Sequence, residues 1–174
     1  MDHSITKFLG EINGQGGIAP KNRFSVEIDY PATVQTNISR EQLNVFCDTT
    51  AMPGHRITTT EYLTVANPIM VPYSFTTEPV VFIFYLGKDL SIKSFFYSWM
   101  ELIINTESYV LAYKRSIVAN FWTVWQHDKQ NNKTRGVKLW NVMPVEVAPL
   151  EYSNGSEELQ MLSVTIDYDR RELI

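Results

Sequence analysis

Residues 44–62 constrain the fold more than any other stretch, because a Pro-Gly pair divides them into two runs of strand-forming residues. Pro53 presets φ for the first central position of a turn, and Gly54 tolerates the positive φ of the second. The sequence therefore predicts a strand over residues 43–48, a sharp corner, and a threonine-rich strand over residues 57–62. The second strand has little apolar area to bury in its own core, which makes it a candidate for pairing with another chain.

The size and composition of the chain predict one folded domain. It has 174 residues, of which 44% are hydrophobic and 20% charged, and this balance excludes a disordered chain. The longest apolar runs, residues 80–86 and 95–100, are too short to cross a bilayer, and the N-terminus has no signal-peptide pattern. We therefore expect a protein that stays in the cytoplasm that makes it. A net charge of −4 argues against a free-standing nucleic-acid binder.

Alternating polar and apolar residues predict most of the remaining strands. Residues 23–30 alternate cleanly, as expected for a half-buried antiparallel strand. Residues 80–86 are apolar on both faces and predict a strand that is covered on both sides. Further strands are expected over residues 118–127, 136–147 with a bend at Pro144, and 159–168. Because short polar turns connect them, the predicted fold is mainly β, an antiparallel β-sandwich or barrel.

Two other segments complete the predicted domain. One amphipathic helix packs on the sheets, with Asp89 as its N-cap and an apolar stripe of Ile92, Phe95, Phe96, Trp99 and Ile103. Residues 63–78 contain two prolines among apolar residues, so they predict a long β-hairpin or loop excursion rather than a central strand.

The N-terminal residues predict a different kind of segment. Residues 1–21 include a glycine-rich tract and predict a flexible arm without regular structure, followed by a β domain over residues 22–174. The few apolar residues of the arm can make a helical turn or dock on a neighbouring subunit; they are Ile5, Phe8, Leu9 and Ile12.

A search for catalytic or ligand-binding groups gives a negative result. None of His3, His55 and His127 has a second ligand at a metal-like spacing, and no glycine-rich phosphate loop follows a strand. Cys47 is interpreted as a plain buried thiol. Acidic pairs such as Asp167 with Asp169, or Glu157 with Glu158, are better explained by a solvated strand end and a turn. The sequence therefore predicts no enzyme, no metal and no cofactor.

An ordered set of segments resembles a known family. The segment Asn22-Arg23-Phe24-Ser25-Val26-Glu27-Ile28 and the later segment Phe46-Cys47-Asp48-Thr49-Thr50-Ala51-Met52-Pro53-Gly54 resemble the start of the tail tube proteins of contractile-tailed (T4-like) bacteriophages. In that family a first strand is followed by a second that ends in a similar Ala-x-Pro-Gly corner. The aromatic helix, the Leu139-Trp140 pair and residues 150–168 are similar to later elements of the same family. The resemblance covers most of the chain from Asn22 onward.

The resemblance implies a structural subunit without catalysis. Hexameric rings would stack into a hollow tube inside a contractile sheath, and DNA would pass through the bore without specific binding, which suits an acidic subunit. The implied partners are copies of the chain itself, the tail sheath protein, and baseplate and tail-terminator proteins. The implied location is the virion tail, after assembly in the host cytoplasm. The corner and the excursion would contact the adjacent ring or subunit through His55, Arg56, Ile57, Thr58, Thr59, Thr60, Glu61, Tyr62, Ile69, Met70, Val71 and Tyr73.

The sequence leaves alternatives open. It does not separate a phage tube from the tube of another contractile injection system or from a baseplate-proximal tube paralogue. A hypothesis from another class is a monomeric ligand-binding β-barrel, in which Trp122, Trp125 and Trp140 surround a cavity. On facing strands of a β domain, such tryptophans are more often part of the core.

Overall fold

A computed structural model describes residues 2–14, 17–63, 67–105, 114–155 and 158–174. The helices are α1 (Asp2–Gly14), α2 (Arg40–Phe46), α3 (Ser91–Ile103) and α4 (Lys114–Ile117). The strands are β1 (Phe24–Ile28), β2 (Cys47–Thr50), β3 (Arg56–Leu63), β4 (Pro68–Thr76), β5 (Val80–Tyr85), β6 (Ala119–His127), β7 (Lys133–Val147), β8 (Met161–Asp167) and β9 (Arg170–Leu173).

Seven strands form the body of the protein, and the long strand β7 divides them into two layers. The hydrogen-bonded order is β1-β6-β7-β8-β5-β2, with β9 added on β7. The first half of β7 pairs with β6 and β9, and we call these strands with β1 layer A. Residues 143–147 of β7 pair with β8, and we call these residues with β8, β5 and β2 layer B. All pairings are antiparallel and the sheets do not close into a barrel, so the predicted sandwich is confirmed.

Strand β7 crosses from layer A to layer B near Asn141. This residue has a φ of 56°, and its side-chain amide donates to Asp169 Oδ2 at 2.9 Å. The backbone N–H of Asp169 donates to the carbonyl of Trp140 at 3.0 Å, so β8 and β9 bend together with β7. A register shift follows between Pro144 and Glu146, at the predicted proline bend.

The core lies where the two layers and α3 meet. Phe82 of layer B contacts Trp122 of layer A edge to face, with ring centroids 5.0 Å apart. Trp99 of α3 lies 6.2 Å from the same indole ring. All three side chains are fully buried. The indole N–H of Trp99 donates to the carbonyl of Ile117 at 2.7 Å, which satisfies the polar group that this ring takes into the core.

Helix α3 is the predicted amphipathic helix, and its apolar stripe faces the core as expected. Ile92, Phe95, Phe96 and Trp99 are buried. The prediction of Asp89 as the N-cap is wrong by one residue. Leu90 takes that position in a left-handed conformation with a φ of 51°, and Asp89 Oδ1 accepts from the N–H of Ser91 at 3.4 Å. Asp89, one residue before the N-cap, thus satisfies the free N–H of Ser91 at the start of the helix, which the side chain of Leu90 cannot do.

The strand predicted over residues 43–48 is wrong, because α2 occupies most of it. Ser39 and Gln42 form a reciprocal capping box, in which Ser39 Oγ accepts from the N–H of Gln42 and Gln42 Oε1 accepts from the N–H of Ser39. This arrangement starts a helix at Arg40, three residues before the predicted strand. Only β2 remains as a strand, and Cys47 is its first residue.

The N-terminal segment contains a helix where no regular structure was expected. In α1 the residues Ile5, Phe8, Leu9 and Ile12 lie at helical spacing and form one apolar stripe. The glycine-rich tract begins at Gly14, where α1 ends, so it terminates the helix rather than preventing it. The division into an arm over residues 1–21 and a domain over residues 22–174 stays a prediction.

Two further expectations need correction. Strand β5 is not covered on both sides in the isolated chain, because Val80, Phe82 and Phe84 are buried whereas Val81 is 43% exposed. One helix was expected and four are found among the described residues. Strand β9 was not predicted, since its sequence Arg-Arg-Glu-Leu carries no apolar alternation that would reveal a strand.

Candidate assembly surfaces

Strands β3 and β4 form a two-stranded ribbon that is separate from the seven-stranded sheet. The pairing runs from Arg56 opposite Thr76 to Leu63 opposite Pro68. A bulge at Tyr73 shifts the register between Thr58 and Thr59. Residues 64–66, which connect the strands, lie outside the described residues. The predicted excursion is therefore a β-hairpin.

The ribbon exposes an unusual amount of apolar surface. Its exposed large hydrophobic side chains are Ile57, Tyr62, Leu63, Ile69, Met70, Val71, Tyr73 and Phe75, with exposed fractions from 42% to 80%. Every residue of β3 except Thr58 is exposed, as is every residue of β4. A two-stranded ribbon in water is marginally stable by itself, and large apolar patches usually mark contact sites.

Both faces of the ribbon contribute to this surface. Directly paired residues share a face, so Ile57 and Phe75 lie on one face and Tyr62 and Ile69 on the other. Neither face of the described part of this hairpin is buried against the core of its own chain. Its outer strand edges also offer backbone N–H and C=O groups for further pairing.

The base of the ribbon is fixed to the body. Arg171 of β9 donates from its guanidinium to the carbonyl of Pro53 at 2.6 Å, and this bond holds the corner segment, residues 51–55, against layer A. The predicted positive φ at Gly54 is wrong, because the chain passes from β2 to β3 through an irregular segment and not through a tight Pro-Gly turn. At the first turn beyond the corner, the ring of His55 stacks on Phe75 with centroids 5.7 Å apart. The hydroxyls of Thr58 and Thr76 are 3.0 Å apart across the strands. The ribbon therefore projects from the body at a defined point.

All twelve sequence-predicted contact residues lie on this ribbon or next to it. His55 precedes β3; Arg56, Ile57, Thr58, Thr59, Thr60, Glu61 and Tyr62 are in β3; Ile69, Met70, Val71 and Tyr73 are in β4. The structure brings them together, but their role in contacts between subunits stays a prediction. Sequence reasoning omitted Leu63 and Phe75, which are 80% and 65% exposed. Strand parity with Ile57 and Glu61 was the signal that could have found Leu63, whereas the pairing of Phe75 with Ile57 is visible only in the structure.

The strands of the two layers differ in charge. Layer A contains two carboxylates, Glu27 and Glu172, and more cations, namely Lys133, Arg135, Lys138, Arg170 and Arg171. In layer B, β2, β5, β8 and residues 143–147 contain Asp48, Glu146 and Asp167 but no lysine or arginine.

Aromatic rings hold the cations of layer A close to its outer face. Lys138 Nζ lies 3.9 Å from the ring centroid of Phe121 and 4.3 Å from that of Trp140. The indole N–H of Trp140 donates to Glu172 Oε2 at 3.0 Å. Lys133 Nζ lies 4.8 Å from the ring of Trp125. This face is both aromatic and cationic.

The outer face of layer B is a different kind of surface. The cross-strand pairs are Val81 with Thr165, Ile83 with Ser163, and Tyr85 with Met161. Thr165 Oγ1 donates to Glu146 Oε2 at 3.4 Å. A hydrogen bond to the Asp48 carboxylate raises the pKa of Tyr85 above its ordinary value. The face thus combines small polar and apolar groups with carboxylates.

The three tryptophans of the barrel hypothesis do not surround one cavity. Trp122 is in the core, whereas Trp125 and Trp140 lie on the opposite face of layer A and contact Lys133 and Lys138. Since the sheets are not closed, the hypothesis of a ligand-binding barrel is wrong for this chain.

The described residues hold no group of three or more His, Cys, Asp or Glu side chains that could bind a metal ion. His127 instead contacts Ser25 Oγ and the carbonyl of Asn131, and His55 stacks on the ribbon. Burial raises the pKa of Cys47 to about 12, and the Asp48 carboxylate adds to this shift, so the thiol stays protonated at neutral pH. Glu157 and the side chain of His3 lie outside the described residues. No described helix combines the length and apolar character that crossing a membrane requires.

Comparison with known proteins identifies the family. The sequence model of the family described as "Phage tail tube protein" matches residues 19–172, so the chain belongs to this family. Its members are structural proteins, which confirms the prediction that the chain is not an enzyme and makes it a component of a virion tail. Comparison with curated protein sequences gave no match.

Solved structures share the fold at low sequence identity. A chain of the extracellular contractile injection system PVC, in the sheath/tube terminator in its extended state, has a TM-score of 0.66 and 12% identity over 90% of this chain and 96% of that one. A chain of the PVC sheath-tube complex has a TM-score of 0.63 and 13% identity, covering 90% and 91%. A chain of the anti-feeding prophage baseplate has a TM-score of 0.61 and 10% identity, covering 90% and 95%. At these identities the likeness shows the fold alone.

Proposed function

We propose that the chain is the tube subunit of a contractile phage tail, in which hexameric rings stack into a hollow conduit for DNA inside a sheath. The β3–β4 ribbon is the observation that carries this proposal. It exposes apolar side chains on both faces, and the described residues of its own chain leave these faces open. Copies of the same chain, arranged in rings, can cover such a ribbon and pair its edges without leaving an open end.

The proposed contact residues are those predicted from the sequence, extended by Leu63 and Phe75. The ribbon projects from the corner held by Arg171, so it can reach a neighbouring subunit while the body stays folded. Burying several exposed side chains of this size yields about 1.5–3 kcal/mol for each one. That is enough for stable association once it is repeated around a ring, against the cost of fixing two bodies together.

The charge difference between the layers suggests which face lines the bore. DNA binds nonspecifically by exchanging counterions for lysine and arginine contacts, so a conduit must keep cations away from its surface. The strands of layer B carry three carboxylates, Asp48, Glu146 and Asp167, and no lysine or arginine. We assign the outer face of layer B to the bore, and the cationic outer face of layer A to protein contacts.

The partners follow from the same assembly. Similar structures belong to a sheath-tube complex, a sheath/tube terminator and a tube-terminating cap. In this proposal the chain has equivalent partners: copies of itself, a sheath protein, a terminator and baseplate proteins. Assembly takes place in the host cytoplasm, and the finished tube belongs to the virion tail.

A second candidate is the tube of another contractile injection system or a baseplate-proximal paralogue. The observation in its favour is that the similar structures come from an extracellular injection system and a baseplate. The two candidates differ in cargo, because only a phage tube must pass DNA. Their common prediction is a ring of subunits around an open bore.

Electron microscopy of the purified chain at high concentration tests the assembly. We expect rings or tubes with an open bore and sixfold symmetry, and light scattering should show a mass that is a multiple of six subunits. A chain that stays monomeric at millimolar concentration, also in the presence of preformed tube ends, would overturn the proposal.

Nuclease protection tests the assignment of the bore. Ser163→Lys places a cation on the outer face of layer B, and Asn120→Lys places one at an exposed position of layer A. We expect assembled Ser163→Lys tubes to retain nuclease-resistant DNA at low salt, whereas wild-type and Asn120→Lys tubes retain none. Protected DNA in Asn120→Lys tubes alone would assign the bore to layer A.

A further inference from the structure

Two apolar surfaces at different places on the body are left uncovered by the described residues. One is the stripe of α1, in which Ile5, Phe8 and Leu9 are 61%, 62% and 51% exposed. The other is a groove of about 640 Å³ between the end of α3 and the second half of β7. We propose that α1 of one subunit docks in this groove on a second copy of the chain; this inference rests on the proposed self-assembly.

The groove is suited to a helix with an apolar stripe. Its walls are formed mainly by Met100, Ile103, Ile104, Met143, Val145 and Val147. Glu101 is the one charged residue among the described residues that line it. Ile104 and Val145 are 46% and 42% exposed, so the walls are open to a partner. Laying the apolar face of a helix into such a groove is a common mode of recognition.

The lengths of the two surfaces agree. The stripe from Ile5 to Ile12 spans seven helical steps, which is about 10 Å. On the groove, residues 143–147 of β7 extend about 13 Å, and residues 97–104, at the end of α3 and its C-cap, extend about 10 Å. The apolar stripe of one α1 helix is therefore long enough to span most of the groove.

The structure separates α1 from the groove of its own chain. The carbonyl of Ile12 accepts from the N–H of Gly17 at 2.8 Å, and the carbonyl of Pro20 accepts from Gln126 Nε2 at 2.8 Å. These bonds hold the end of α1 next to the β6–β7 turn. The groove begins at Met143, about 30 Å farther along β7 from Thr134, whereas α1 is only about 20 Å long. The helix thus does not lie in the groove of its own chain, where none of its residues lines the wall, and a second copy supplies the groove in this proposal.

A separate amphipathic helix of this length also needs a partner. Helices of about 12–15 residues are marginal in water, and most of their stability comes from packing of the apolar face. A contact between one surface of a subunit and a different surface of the next is head-to-tail, and repeating it extends an assembly in one direction. This contact uses residues that are separate from the ribbon, so the two surfaces can be tested independently.

Crosslinking between single-cysteine copies tests the docking directly. In a Cys47→Ala background, we would mix a Phe8→Cys chain with a Val145→Cys chain under conditions in which the wild type assembles. We expect a disulfide-linked dimer after mild oxidation. Lys7→Cys, on the opposite side of α1, is the matched control and should give little dimer with Val145→Cys. A Tyr73→Cys chain tests the ribbon as the competing occupant of the groove.

Assembly assays give the second readout. Phe8→Ser should raise the concentration needed for assembly by about tenfold or more, because it removes one buried aromatic side chain from each contact. Lys7→Ser should leave this concentration within about twofold, as expected for an exposed polar position. Circular dichroism of unassembled Phe8→Ser should match that of the wild type.

The outcomes separate this inference from the proposed function. If wild-type tubes form, Phe8→Ser assembles normally and no Phe8→Cys crosslink appears, docking of α1 is overturned while the tube proposal stands. Crosslinking of Tyr73→Cys to Val145→Cys in place of Phe8→Cys assigns the groove to the ribbon and also overturns it. If the wild type forms neither rings nor tubes and no crosslink appears, both proposals fail.

Discussion

The sandwich body and the β3–β4 ribbon belong to one chain, but the body buries its large apolar side chains whereas the ribbon exposes them. In the body, Phe82 and Trp122 are fully buried between two layers and a helix. In the ribbon, Leu63 and Phe75 are 80% and 65% exposed although they belong to a paired hairpin. Stability of the subunit therefore resides in the body, and the ribbon is free to make contacts elsewhere.

The largest effect is expected in the core of the body. Trp122→Ala removes a ring that contacts both Phe82 and Trp99 and whose indole N–H donates to the carbonyl of Asp29. We expect it to lower the free energy of unfolding by about 3–5 kcal/mol, measured by urea denaturation of the unassembled subunit.

Phe75→Ala on the ribbon is the matched control, because it removes a large ring from an exposed site. It should change the free energy of unfolding by about 0.5 kcal/mol or less. A comparable loss in the two variants would mean that the ribbon is part of the folding core.

Prediction from the sequence succeeded where one local pattern decides the structure. The apolar stripe of α3 predicted a helix, and the alternation in β1 predicted a strand; both are found. The two prolines correctly predicted that β4 lies outside the central sheet. It failed in α2, because residues 43–48 were predicted as a strand. The capping box of Ser39 and Gln42, which was visible in the sequence, indicated the start of a helix just before them. It failed in β9, whose pairing depends on the bend of β7 at Asn141 rather than on its own residues.

The candidate surfaces show the same division. The ribbon could be predicted because its threonines and prolines are local signals. The groove between α3 and β7 could not, because it joins residues about 40 positions apart through the sandwich. The charge difference between the layers was also hidden, since strands of both layers alternate along the chain and only the pairing order separates them.

A smaller loss is expected from Gly136→Ala in layer A. A Cβ atom at this position would lie 2.7 Å from Cε3 of Trp125, its cross-strand neighbour, so the indole ring must move. We expect a loss of about 1–3 kcal/mol in the free energy of unfolding. Gly54→Ala is the control at an open position of the corner, where no atom lies within 4 Å of the added group. Equal losses for the two variants would show that backbone freedom, and not the indole, requires the glycine.

A gain in stability is expected from Tyr168→Phe at the junction of β8 and β9. The Tyr168 hydroxyl is buried and has no hydrogen-bond partner among the described residues. Removing it should raise the free energy of unfolding by about 1 kcal/mol, because an unsatisfied buried polar group is costly. Thermal denaturation at neutral pH measures this gain, and a loss would reveal a partner for the hydroxyl.

The pH dependence of the same variant gives a check on the cause. Burial raises the pKa of Tyr168, so at high pH the unfolded chain ionises while the folded chain keeps the proton. The wild type therefore loses stability as the pH rises above the ordinary tyrosine pKa of about 10. Tyr168→Phe lacks this contribution, and its advantage over the wild type should widen between pH 9 and about 11.

The smallest effect on folding, and the largest on assembly, is expected from shortening the ribbon. Replacing residues 60–71 by Asn-Gly leaves Thr59 and Pro72, which are already paired, on either side of a favoured two-residue turn. The free energy of unfolding should change by about 0.5 kcal/mol or less, because the described residues among those removed, 60–63 and 67–71, are exposed. Urea denaturation measures this change, and electron microscopy should show no tubes.

Thr60→Ser is the control for the shortened ribbon, since it keeps the length and the hydroxyl group, and it should assemble like the wild type. Urea denaturation and electron microscopy of the shortened chain together distinguish three roles of the ribbon. Loss of folding would assign the ribbon to the core of its own subunit, and normal tubes would remove it from the contacts between subunits. A folded chain that does not assemble means that the exposed apolar side chains are retained for a partner, because nothing in the stability of the subunit requires them.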